Sequence, residues 1–87
     1  MSSDKNNDLL HVKVFSPSEI YYDDVASSIS AANDTGSFDI LPYHHNFITL
    51  LKAGEIIIGA KNTTKSISIS KGLLRVTNNR AVVFLDI

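Results

Sequence analysis

The feature that most constrains this chain is a series of short segments in which apolar and polar side chains alternate. In residues 9–15, one face of an extended chain would carry Leu10, Val12 and Val14, with polar side chains between them. A period of two is the pattern of a half-buried β-strand, because successive side chains of a strand point to opposite faces. Convincing helical periodicity is not seen elsewhere, so the pattern predicts an all-β fold.

Turn-forming residues punctuate the chain roughly every eight to ten positions, a spacing typical of β-sandwiches and barrels. Four later segments are rich in apolar residues and are separated by turn signals at Asn62-Thr63-Thr64-Lys65, Lys71-Gly72 and Asn78-Asn79. We expect Asn78-Asn79 to form a two-residue hairpin, because asparagine tolerates positive φ better than most residues with a Cβ.

The segment from Ile20 to Ile29 also alternates, and it contains two adjacent carboxylates. Asp23-Asp24 is interpreted as a turn, since aspartate is common in turns and rare in strands. The strand that follows, if it is regular, would carry Val25, Ser27 and Ile29 on one face.

The segment from His45 to Lys52 allows two interpretations. Its spacing fits about two helical turns. Ile48 and Thr49 are β-branched, however, and Ala53-Gly54 follows at once, so a strand is favoured.

Length, charge and composition restrict the function. The chain has 87 residues, enough for one domain, and a formal net charge of -1. This charge creates no field that would attract nucleic acid or an anionic membrane, so partners must be recognised by shape and local contacts. We expect a flexible tail at residues 1–8, a single domain at residues 9–87, and no targeting or membrane-inserting segment. The absence of cysteine fits a cytosolic protein.

Candidate catalytic and metal-binding groups are few. His44-His45 is the one histidine pair, and His11 could join it only if the fold brought them together. If they lay on a strand, adjacent histidines would point to opposite faces and could not easily bind one metal ion. There is no phosphate-binding glycine loop, no nucleophile elbow and no calcium loop around Asp23-Asp24. We therefore predict a binding protein with no catalytic residues, cofactor or metal.

Several motifs in order resemble one family over residues 12–86, the N-terminal β-sandwich domain of the epsilon subunit of F-type ATP synthases, called delta in mitochondria. Most specific is the stretch Gly36-Ser37-Phe38-Asp39-Ile40-Leu41-Pro42-Tyr43-His44, which is similar to the family's Gly-x-x-Gly-Ile-Leu-Pro-x-His. Segments 48–54, 70–76 and 82–86 follow at matching distances.

The chain departs from the family pattern at a few positions. Asp39 stands where the family usually has glycine, and Lys71 replaces the first of two glycines. His45-Asn46 replaces an Ala-Pro pair, and Ala53 replaces proline. Because glycine often serves tight backbone geometry, the resemblance leaves the detail of the turns at Asp39 and Lys71 open.

The resemblance implies a flattened sandwich of about ten short strands in two sheets. The family usually continues into a C-terminal helical hairpin, which we do not expect within these 87 residues because the last predicted strand ends beside Ile87. It implies a non-catalytic subunit of the rotor's central stalk that binds the gamma subunit and the polar loops of the c-ring, and so couples proton translocation to ATP synthesis. Gly36, Ser37 and His44 match the family's c-ring contacts. Pro42 is expected to form a structural turn that presents His44, with a turn at Gly36-Ser37 next to it. The implied location is cytoplasmic, at the periphery of a bacterial membrane.

A second hypothesis is a free-standing β-sandwich module, unrelated to the synthase, that recognises another protein or a small ligand. The presence of the Gly36-to-His44 stretch favours the first hypothesis, because an unrelated module would have no need of it.

Overall fold

The computed structural model describes residues 9–85, so the predicted tail at residues 1–8 lies outside the described residues. Within this range the secondary structure consists of nine strands: β1 (Leu10–Phe15), β2 (Ile20–Ala26), β3 (Ser28–Asn33), β4 (Gly36–Ile40), β5 (Phe47–Leu51), β6 (Gly54–Ala60), β7 (Thr63–Ile69), β8 (Gly72–Thr77) and β9 (Arg80–Leu85).

The strands form two sheets, which confirms the predicted β-sandwich. One sheet has five strands in the order β2-β1-β9-β8-β5, and the other has four in the order β4-β3-β6-β7. The first and last strands, β1 and β9, pair in parallel at the centre of the five-stranded sheet. All other described pairs are antiparallel.

The core lies between the two sheets and is built by the alternation seen in the sequence. In β1, Leu10, Val12 and Val14 are buried, with at most 1% of their surface exposed. The inward positions of the remaining strands are filled mainly by aliphatic side chains, among them Ile29, Ile40, Ile56, Ile58, Leu74, Val76, Val83 and Leu85. Burial of these side chains is the main stabilising contribution in a chain without disulfides.

The segment from His45 to Lys52, for which a helix and a strand were considered, forms the favoured strand, β5. β5 pairs antiparallel with β8, with Phe47 opposite Val76 and Leu51 opposite Gly72. Pairing with β8 supplies the backbone hydrogen bonds that a two-turn helix could not have provided by itself.

The predicted turn at Asp23-Asp24 is wrong. Both residues lie inside β2, where Asp23 is opposite Lys13 and Asp24 is opposite Val12. Because β2 is an edge strand and both side chains are exposed, the carboxylates stay in water, and charge is a common feature of sheet edges.

The chain changes sheet a few residues later, at Ser27. The backbone N–H and hydroxyl of Ser27 both donate to the Gly59 carbonyl, at 2.7 and 2.8 Å. The strand is therefore not regular across this point: Val25 in β2 is exposed and Ile29 in β3 is buried, so the two do not share a face as one regular strand would require.

The turn between β8 and β9 lies where it was predicted, and the turn between β6 and β7 begins one residue earlier than predicted. Asn78 and Asn79 form the predicted two-residue hairpin, with φ of 49° and 62°, as a type I′ turn requires. The β6–β7 turn is Lys61-Asn62, one position earlier than expected, with Asn62 at φ 72°.

The two positions where the family has glycine do not require it here. Asp39 lies inside β4 opposite Ser30, and Lys71 lies between β7 and β8. Neither is among the residues with positive φ in the described part of the chain. Gly72, in contrast, is buried, and a Cβ there would meet the Phe84 carbonyl oxygen and Leu85 Cδ2, both at 3.0 Å.

Candidate binding surfaces

The loop after β4 presents His44 on a tight turn. His44 N donates to the Leu41 carbonyl at 3.2 Å, and this closes a four-residue turn with Pro42 in the second position. Tyr43, in the third position, has φ of 67°. Proline in second place and positive φ in third define a type II turn. β4 ends at Ile40, just before this turn.

His44 is half-buried among aromatic rings. Its imidazole stacks on that of His45, with ring centroids 4.3 Å apart, and its Nδ1 lies 2.8 Å from the His45 carbonyl oxygen. The ring also meets the Phe47 ring at 5.6 Å and 64°, and Phe47 in turn meets Phe38 at 5.6 Å and 73°. Such edge-to-face contacts fix ring orientation. The His44 side chain is therefore held in one place.

All three histidines lie at the same end of the sandwich, because the backbones of His11 and Tyr43 both contact Asn79. The His11 imidazole, however, is bonded to Asp23. The expectation that His44 and His45 point to opposite faces assumed a strand, whereas they lie in a loop with stacked rings. Among residues 9–85, no three His, Asp or Glu side chains are grouped so that they could hold a metal ion.

Gly36 and Ser37 lie at the other end of β4 from the His44 loop. They are its first two residues, and the turn before them is Asp34-Thr35, where the Asn33 side chain accepts from the Thr35 N–H at 2.9 Å and from its hydroxyl at 2.7 Å. The expectation that the Gly36-Ser37 turn adjoins His44 is thus wrong. The five-residue strand between them is extended, which separates its ends by about 13 Å.

Two surfaces follow from this arrangement. We call the Leu41–His44 turn with Asn78-Asn79 the His44 end, and residues 33–37 the Gly36 end. Leu41 and Tyr43 are 56% and 65% exposed at the His44 end, and Ser37 is exposed at the Gly36 end. A partner that contacts both ends must lie along the full length of β4.

A third surface was missed by the sequence interpretation. On the outer face of the five-stranded sheet, register places one large apolar side chain from each strand in a continuous line, which we call the apolar row: Ile20, Phe15, Phe84, Leu73 and Leu50. Leu50 is 72% exposed, and the Phe15 and Phe84 rings meet at 5.2 Å. Contiguous exposed apolar side chains mark binding surfaces.

The signal for the apolar row is a local break in alternation. Adjacent large apolar residues, such as Leu73-Leu74 and Leu50-Leu51, put one side chain inside the sandwich and the other outside. The row becomes visible only when the register is known, because its members come from five separate strands. The adjacent row on this face holds Arg75 and Lys13, with Asp23 opposite Lys13 on the edge strand.

The fold and these surfaces define a two-sheet β-sandwich domain whose exposed features are suited to binding other proteins. The family model for the ATP synthase delta/epsilon chain β-sandwich domain matches residues 9–87. The chain therefore belongs to this family.

Individual relatives agree with this assignment. The ATP synthase epsilon chain of Endomicrobium trichonymphae is 38% identical over 75 residues, which cover 86% of this chain and 54% of the relative. That of Helicobacter pylori strain 26695 is 36% identical over 78 residues, or 90% of this chain and 63% of the relative. The chain thus spans less than two thirds of the length of these relatives.

Two solved structures that contain a chain with the same fold are of mitochondrial ATP synthases. A chain in the Tetrahymena thermophila ATP synthase central stalk and c-ring structure has a TM-score of 0.75 at 21% identity, covering 86% of this chain and 61% of its own length. A chain in the Euglena gracilis ATP synthase structure has a TM-score of 0.83 at 14% identity, covering 88% and 50%. Across residues 9–85, no helix is long and apolar enough to cross a membrane.

Proposed function

We propose that this domain is part of a non-catalytic central-stalk subunit of an F-type ATP synthase, where it binds the gamma subunit and the c-ring and helps to couple proton translocation to ATP synthesis. The observation that carries the proposal is the family match over residues 9–87. The names of its relatives and the central-stalk and c-ring assembly of a structural neighbour support it. In this role the domain transmits force through contacts and makes or breaks no bond.

The apolar row is our candidate for the gamma contact. A rotor subunit must stay bound through each turn, and a stable interface of this kind needs a desolvated apolar centre. Leu73 lies near the middle of the row, between Phe84 and Leu50. Arg75, which lies between Val82 and Ile48 in the adjacent row, would attract a partner that carries an acidic group beside an apolar strip.

The c-ring contact is proposed for Gly36, Ser37 and His44, the positions implied by the family resemblance. Since the Gly36 end and the His44 end are separated by the length of β4, each needs its own test. The Gly36 end and the His44 end both consist of loops or strand ends. The proposed position at the cytoplasmic side of a bacterial membrane would place them against the polar loops of the c-ring.

Single-cysteine crosslinking separates these assignments, because these 87 residues contain no cysteine. Leu73→Cys, Ser37→Cys and His44→Cys each label one surface, and Ser66→Cys on the exposed face of β7 is the matched control. In assembled synthase we expect Leu73→Cys to crosslink to gamma, Ser37→Cys and His44→Cys to the c-ring, and the control to neither. Failure of all three to crosslink to any rotor subunit would contradict the proposed function and favour the free-standing module.

A further inference from the structure

Asn79 joins three segments that are distant in the sequence. Its side-chain Oδ1 accepts from the Tyr43 N–H at 2.8 Å, and its Nδ2 donates to the Leu9 carbonyl at 2.7 Å. Its backbone carbonyl accepts from the His11 N–H at 3.1 Å. We infer that Asn79 is a positioning residue that fixes the Leu41–His44 turn against the start of β1, and so sets how the His44 end meets a partner. The effect on partner binding rests on the proposed function.

The turn needs such support because of Tyr43. The third position of a type II turn has positive φ and is usually glycine or asparagine, whereas a tyrosine is strained there. The His44 N–H donates to the Leu41 carbonyl at 3.2 Å, and the Tyr43 N–H donates to the Asn79 side chain at 2.8 Å. That bond holds the Tyr43 peptide in the strained conformation.

The amide of Asn79 is itself fixed in orientation. Tyr43 N–H can only donate and the Leu9 carbonyl can only accept, so the oxygen must face Tyr43 and the nitrogen must face Leu9. Rotation of the side chain would break both bonds together. The type I′ hairpin, in which Asn79 has φ of 62°, places the side chain between the two partners.

The conformation of Tyr43 determines the shape of the His44 end. Tyr43 and Leu41 are the exposed apolar side chains of the His44 end, and the His44 ring follows immediately in its stack on His45. If the turn relaxed, Tyr43 would leave its left-handed conformation and the His44 peptide would rotate with it. The geometry of the surface is thus set by a residue on the β8–β9 hairpin.

Two glycine variants give a matched pair. Asn79→Gly removes the amide and leaves the Asn-Gly sequence that type I′ turns prefer, and Asn78→Gly keeps the amide and relaxes the adjacent position with φ of 49°. By amide hydrogen exchange of the full chain, we expect Asn79→Gly to speed exchange of the Tyr43 N–H by about tenfold, as for loss of one hydrogen bond, without a comparable change at the core amide of Val83. Asn78→Gly should leave Tyr43 unchanged.

A conservative variant tests whether the acceptor is the cause. Asn79→Asp retains an oxygen for Tyr43 and loses the donor to Leu9, so protection of the Tyr43 amide should persist. Equal Tyr43 exchange in Asn79→Gly and Asn78→Gly, or an equal rise at Val83 in Asn79→Gly, would overturn the inference.

Binding is measured separately, as affinity for the isolated gamma and c-ring assembly. We expect Asn79→Gly to weaken it several-fold relative to Asn78→Gly, while Asn79→Asp retains more of it. Equal affinity of the two glycine variants would overturn the link between Asn79 and binding. If the unsubstituted chain does not bind the assembly at all, the proposed function fails, and the exchange data still decide whether Asn79 holds the turn.

Discussion

Asp23 and Asp24 are adjacent in the sequence, but their carboxylates bind different donors. The Asp23 carboxylate accepts from His11 Nε2 at 2.6 Å across the β1–β2 pair, whereas that of Asp24 accepts from the neighbouring Val25 N–H at 2.7 Å. The His11 hydrogen bond lowers the pKa of Asp23, with smaller contributions from the charges of Lys13 and Arg80. His11, twelve positions earlier in the chain, thus helps to stabilise Asp23 within a strand.

The pH dependence follows from that direction. Because the pKa of Asp23 is lower in the folded than in the unfolded chain, its contribution to stability is present above the unfolded value, about 3.9, and is lost as the pH falls through the folded value. We expect His11→Ala to raise the pKa of Asp23 measured by carboxyl NMR titration, and Lys13→Ala to raise it less. An unchanged Asp23 pKa in His11→Ala would show that the pair does not persist in solution.

Strands were predicted correctly from the sequence where apolar and polar residues alternate regularly. The prediction failed where long-range contacts determine the secondary structure. β1 and the Asn78-Asn79 hairpin carry their signals locally. No local signal shows that Asp23-Asp24 lies in a strand, because the contact with His11 and the edge position of β2 arise only when the sheet forms. Likewise, Gly36 and His44 are close in sequence, but an intervening strand carries them to opposite ends.

Gly72 tests the close packing of β8 against β9. A Cβ at this buried position would lie 3.0 Å from the backbone oxygen of Phe84, an atom that cannot move without displacing β9. We expect Gly72→Ala to lower the free energy of unfolding by about 1–3 kcal/mol in urea denaturation, as overpacking does. Ser70→Ala, at an exposed position just before β8, should change it by less than about 0.5 kcal/mol. Similar values for both variants would mean that the strands adjust freely.

The sandwich measures 42 × 25 × 19 Å, and its Gly36 end adjoins the apolar row, because Asp34 lines one groove together with Leu50, Leu73 and Phe84. The two ends lie at opposite termini of β4, and the apolar row crosses the outer face of the five-stranded sheet. Gly36, Ser37 and His44, which lie at the two ends, were predicted as contact residues from a short family motif. The apolar row had no motif, since it exists only in the register of five strands, and the role of Asn79 depends on contacts with Leu9 and Tyr43 that no local pattern reveals.

The proposed binding of this domain to the gamma subunit is tested by the affinity of the purified chain for the gamma subunit of the same organism. We expect a one-to-one complex by calorimetry. Leu73→Asp should weaken it at least about tenfold, because it buries a charge at the centre of the interface, and Ser66→Asp on β7 should not change it. Absence of a complex between the unsubstituted chain and gamma would contradict the account.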